Sequence, residues 1–288
     1  MAKSHKKGIA FSQLVLSSLL LISKKKKDLS VSVLCFALLI GIVTTFTGQR
    51  AQRLQDRIVE EQGISWEELQ IRVDAAMTKL SESDGSLLLS RMHQYGFRTD
   101  SLDLQLQPED IAFVFIAAVG PWVLLSFLLN ASILFLASVF FLSLAASGPF
   151  SGYDAARTLP IMTYRMIGLL LLSFIRSFVW IPFLGPLLGL WMFPHLSLAP
   201  AILAGGKQSI VHSLQASMRR TKGKWFGIFF TLIGLSLVSL GFLFIMMIPI
   251  SVTSLLSFKL SFFLWLLLLL SIIAFQMFSL VQMSEQMP

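Results

Sequence analysis

The sequence predicts an all-α integral membrane protein with six transmembrane helices, cytoplasmic interfacial helices and a small helical extracytoplasmic insert. Three observations carry that class. Hydrophobic residues fill 55% of the 288 positions and charged residues only 13%, about half the roughly 25% charged share of soluble domains. One water-soluble core of this size has no room for so much apolar surface. The apolar residues also fall into runs near the roughly 20 residues that cross a bilayer. Basic residues cluster beside those runs, which is how membrane topology is encoded. The formal charge of +8 therefore marks orientation and not a nucleic-acid-binding face.

Residues 1–28 form a basic cytoplasmic segment with an interfacial helix over Gly8–Ser23, where Ser12, Gln13 and Ser17 make a narrow polar stripe. Lys3, Lys6 and Lys7 ahead of it resemble the start of a signal peptide, but Lys24 to Lys27 follow instead of a small-residue cleavage site. The first span is Leu29–Thr47. It contains the lone cysteine, Cys35, so the chain forms no internal disulfide.

Residues 48–110 hold 7 Lys+Arg and 12 Asp+Glu, a net of 7 − 12 = −5. No run there is able to cross a bilayer, and Ser65 with Glu68 reads as a capping box. Trp66, Leu69, Val73, Met77 and Leu80 then recur at helical spacing, which predicts a small helical domain outside the membrane. Pro108-Glu109-Asp110 opens the next helix, since proline suits a first turn and acids suit its positive end. Gly120-Pro121 predicts a break, with an interfacial or re-entrant piece at 108–119 and a span at 121–146.

The five-helix membrane domain, 111–288, continues with spans at 166–184, 187–204, 225–248 and 260–283. Interfacial links at 147–165 and 205–224 separate them, and Pro249 with a Ser/Thr-containing loop divides the last two. Orientation follows from charge. Seven Lys+Arg lie in residues 1–27, and Lys207, Arg219, Arg220, Lys222 and Lys224 lie in 205–224 without a single acid. Six crossings put every basic segment and both termini in the cytoplasm and the acidic insert outside. Within 205–224, Val211, Leu214 and Met218 share a helical face while His212, Gln215, Arg219 and Arg220 point elsewhere. This predicts a basic amphipathic helix on the inner leaflet, its five basic residues touching anionic lipid headgroups.

Ile181-Pro182-Phe183-Leu184-Gly185, Leu196-Ser197-Leu198-Ala199-Pro200, Ser213-Leu214 with Ser217, and Thr221-Lys222-Gly223-Lys224-Trp225 are features with a family likeness. Over about 147–250 the chain resembles the bacterial family of the transmembrane region attached to some glycerophosphodiester phosphodiesterases, with its stand-alone six-span relatives. The likeness implies a six-span architecture in a bacterial inner membrane. It implies no phosphodiesterase activity, because the chain has no catalytic barrel, and the 48–110 insert is longer than that family's usual loop.

Catalytic constellations are absent from the sequence. His5, His93, His195 and His212 stand at no metal-ligand spacing, and Gly205-Gly206-Lys207-Gln208-Ser209 fails as a phosphate loop, with Ala201 and Gln208 at required positions. The sequence thus calls for no cofactor and no metal. Two intramembrane polar candidates remain, Arg176 near the middle of 166–184 and His195 after Pro194. The function expected is that of a non-enzymatic membrane component, with the lipid bilayer and a protein bound by the acidic insert as partners. A transporter or lipid-handling protein with a midplane site near Arg176 is the alternative.

Overall fold

The computed structural model describes residues 11–82, 108–146, 152–178, 192–205 and 208–287, and no strand occurs among them. Nine helices can be bounded: α1 Phe11–Lys24, α2 Lys26–Gln62, α3 Trp66–Glu82, α4 Pro108–Ala146, α5 Gly152–Phe178, α6 Ala199–Gly205, α7 Ile210–Thr221, α8 Trp225–Leu256 and α9 Phe258–Gln286. A helical stretch at 192–196 precedes α6. Five of the described helices are long and apolar enough to cross a membrane, namely α2, α4, α5, α8 and α9. The chain is therefore an all-α, multi-pass membrane protein. The sixth expected span, 187–204, falls partly on residues outside the description, and its described part is a shorter apolar helix.

Three expected boundaries are not there. The break at Gly120-Pro121 is replaced by one helix of 39 residues, with Pro121 inside it. The link at 147–165 and the following span merge into α5, which runs through Pro160. Helix α8 passes Pro249 and ends only at Ser257. A proline inside a helix loses one hydrogen bond and costs roughly 3 kcal/mol. Ending the helix in an apolar setting strips several backbone groups of partners, each at a cost of several kcal/mol. Continuity wins at all three sites. Ser257 then turns the chain within a single residue: its N–H donates to Thr253 O (2.9 Å) and its hydroxyl accepts from Leu260 N–H (3.4 Å).

Contacts divide the chain into two compact units, residues 1–38 with 133–288, and residues 39–132. In the smaller unit Ile58 of α2, Leu69 of α3 and Ile111 of α4 form a buried cluster with Val59, Ile64, Val73, Phe115 and Ala118 around it. Ser65 caps α3 by accepting from Glu68 N–H (3.2 Å). A polar seam joins α2 to α4: Thr47 Oγ1 donates to Ser126 Oγ (2.9 Å), and Asn130 Nδ2 to Thr44 Oγ1 (3.0 Å).

The larger unit is centred on Leu14 of α1, Leu198, Ile202 of α6, Ile228 and Leu235 of α8, and Met283 and Met287 at the end of α9. Phe11 of α1 lies so close over α8 that a Cβ on Gly234 would stand 2.9 Å from its ring. Gln286 Nε2 donates to Ser17 Oγ (3.3 Å), tying α1 to α9. The expected interfacial helix thus has one fully buried face.

Lys25 is the only non-helical residue between α1 and α2, and it works together with Asp28. The Lys25 ammonium donates to the carbonyl of Leu144, in the last turn of α4. Asp28 Oδ2 accepts from Gly152 N–H (3.0 Å), at the first residue of α5. A cation thus meets the negative end of one helix and an anion the positive end of the next. Gly152 permits the approach, because a Cβ there would come within 3.2 Å of Asp28 Cβ. Burial pushes the Lys25 ammonium below the ordinary lysine range, and the Asp28 charge partly restores it.

Candidate functional site

Helix α7 is set by signals at both ends. Ser209 takes an extended conformation and its hydroxyl accepts from His212 N–H (3.3 Å), satisfying one orphan donor of the first turn. At the other end Gly223 adopts φ +76°, which a side chain would resist, and Lys224 N–H returns to Thr221 O (3.0 Å). Arg165 of α5 donates to the carbonyl of Gln208, just before the cap.

The packed face of α7 differs from the one expected. Val211 is 54% exposed, whereas Ser213, Leu214, Ser217 and Thr221 are buried. The reason is size and self-bonding. Small hydroxylated residues four apart let the helix come close to its neighbours, and their hydroxyls find acceptors on the way. Ser213 Oγ donates to Ser209 O (3.1 Å), Thr221 Oγ1 to Ser217 O (2.9 Å), and Ser217 Oγ across to His195 O (2.5 Å).

His195 therefore sits on α7, with Nδ1 2.7 Å from Thr221 Oγ1. The Thr221 hydroxyl has one proton to give and also reaches Ser217 O (2.9 Å) and Met218 O (3.3 Å), so the role of Nδ1 in this contact follows the His195 tautomer. Arg176 belongs to α5. Its side chain lies outside the described residues.

The opposite face of α7 carries the charge. His212, Gln215, Ala216, Arg219 and Arg220 line an open cleft of about 270 Å³. At 100° per residue these five span about 140° of the helix, centred nearly opposite Thr221. Arg219 is exposed and Arg220 is half-buried. The Arg220 guanidinium donates from Nη1 to Ser284 O (2.8 Å), in the last turn of α9, which fixes the head group and satisfies a terminal carbonyl. Ala216 forms the floor and packs against the core cluster beneath.

Of the five basic residues expected to meet lipid headgroups, Arg219 and Arg220 line the cleft. Lys222 and Lys224 lie beyond the end of α7, on either side of the Gly223 turn, and do not line it. Lys207 lies outside the described residues. Gln215 was placed with His212, Arg219 and Arg220 away from the apolar face, whereas Ala216 went unassigned, although its spacing from Arg219 and Arg220 was there to be read. Among the described residues no group of three or more His, Cys, Asp and Glu is placed to hold a metal ion. No family model, no curated protein and no solved structure matches this chain.

Proposed function

We propose that this protein is a non-catalytic component of a bacterial inner membrane, crossing it six times with both termini in the cytoplasm. It rests on the inner leaflet through α7 and meets other envelope proteins through the acidic 48–110 segment. One observation carries the reading: α7 buries its Ser/Thr face and turns outward a basic stripe from a segment without any acid. Positive charge held at one level beside apolar helices is what orients a membrane protein. Trp66 and Ile71 of α3, 45% and 65% exposed, support a protein partner for the acidic segment. The resemblance over residues 147–250 points the same way, toward an architecture and no enzymatic activity.

Single cysteines at the exposed positions 70, 156 and 212 in a Cys35→Ala background test this in intact cells. An impermeant thiol reagent added outside labels position 70 and spares 156 and 212. Labelling at 212 from outside overturns the orientation. A photo-crosslinking residue at position 71 forms a discrete adduct with a second envelope protein, and the lack of any adduct there removes the assembly role.

A further inference from the structure

We propose that the α7 cleft is a built binding site for one phosphate group, presented by the headgroup of an anionic lipid. The donor set leads to that ligand class. Four of the five lining residues, His212, Gln215, Arg219 and Arg220, carry N–H donors, and none is acidic. Two adjacent guanidinium forks suit a tetrahedral anion, which takes bonds from several directions at once. A planar carboxylate is satisfied by one fork.

The geometry is prepared in advance. The Arg220 head is held through Nη1 on Ser284 O, and the remaining donors of the guanidinium face away from that bond. Order of this kind is established before any ligand arrives, so less freedom is lost on binding. Ala216 is the smallest of the lining residues. Size limits the ligand. About 270 Å³ lies just below the roughly 300–1,000 Å³ of clefts that enclose whole small molecules. A headgroup fits, and the acyl chains stay outside.

The placement of α7 at the inner leaflet rests on the function proposed above; the chemistry of the cleft does not. Any cluster of Lys and Arg is drawn to an anionic surface by about 1 kcal/mol per residue, whatever its shape. A site differs from such a cluster because filling it abolishes binding while the charge stays the same. Ala216→Leu makes that change.

The test uses the full chain in nanodiscs of phosphatidylcholine, with and without phosphatidic acid, and native mass spectrometry to count retained lipids. Both faces of a nanodisc are open, so the result does not depend on orientation in the cell. The wild-type chain keeps one phosphatidic acid more tightly than phosphatidylcholine. Ala216→Leu and, independently, Arg219→Gln weaken that retention by about tenfold or more, with unchanged helix content. Displacement of the retained lipid by millimolar inorganic phosphate identifies a site that also takes the free anion. Persistence against it assigns the site to the headgroup. Equal retention of the two lipids by the wild-type chain, or undiminished retention by both variants, overturns the proposal.

Discussion

Asp28 is the acid that links the start of α2 to the start of α5, so Asp28→Ala removes a cap between helices. Gly152 N–H loses its acceptor at 3.0 Å. Loss of a side-chain cap typically costs about 1 kcal/mol. The charge lost from two first turns, that of α2 and that of α5, adds roughly 0.3–1 kcal/mol. The expected destabilisation is about 1–2 kcal/mol. Asp28→Asn keeps an acceptor oxygen and loses only the charge, so its cost is about 0.5 kcal/mol. Gly152→Ala puts a methyl 3.2 Å from Asp28 Cβ and 3.3 Å from Cγ. Alanine at 28 keeps the Cβ and removes only the Cγ and Oδ1 contacts, so the penalty shrinks in part, giving a coupling of about 0.5 kcal/mol in the double-mutant cycle. Reversible unfolding in mixed detergent–SDS micelles, followed by circular dichroism, measures wild type and all four variants. If Asp28→Ala is as stable as wild type, or if the Gly152→Ala penalty is equal in both backgrounds, the cap contributes nothing.

Leu14→Ala empties a fully buried position in the main core and should cost about 2–5 kcal/mol, while Leu16→Ala, at a 60% exposed position, should be nearly silent in the same unfolding assay. Thr221→Val keeps the shape of the α7 face but removes the partner of His195 Nδ1 and should cost about 1–3 kcal/mol. In two-dimensional NMR the same variant should shift the His195 ring nitrogens. Folding lowers the Lys25 pKa, so the folded chain releases that proton before the unfolded chain does. Between the lowered value and the ordinary 10.5, the unfolded state binds more protons and stability rises with pH. Lys25→Met should flatten that rise in unfolding curves recorded at increasing pH.

The membrane class was readable because it depends on composition and on runs of residues, properties that tertiary contacts do not alter. Ser65 was readable for a similar reason, since its cap is completed within one turn. Pro121 and Pro249 were misread through a choice of solvent. In water, Gly120-Pro121 or Pro249 is a sensible place to stop a helix, because water satisfies the freed backbone. In lipid the same stop is the more expensive course. Helix α7 was legible in part, since Leu214 is buried as expected and Val211 is not. Hydrophobicity picked out Val211, Leu214 and Met218, but helices that pack closely against one another select for small side chains, and Ser213, Ser217 and Thr221 supply them. The cleft was half visible. Arg219 and Arg220 were plain in the sequence, whereas their assembly into a site depends on Ser284, 64 residues away from Arg220. No local pattern encodes the pairing of His195 with Thr221, or of Asp28 with Gly152.

The placement of α1 has a consequence for how the chain is made. Leu14 is surrounded by residues from Leu198 to Met287, so the seat of α1 is not complete until α9 emerges. At roughly 5–20 residues per second, the 269 residues between Ser17 and Gln286 keep it waiting on the order of tens of seconds. For that interval the ribosome holds a growing chain whose first apolar stripe rests on bilayer, where Ser12, Gln13 and Ser17 make a tolerable wet edge. A message truncated in the turn at Ser257 would yield four of the five described long helices and an α1 that keeps Leu198, Ile202, Ile228 and Leu235 beside it but lacks Met283, Met287 and the Gln286 tie. Such a fragment is incomplete at its own beginning.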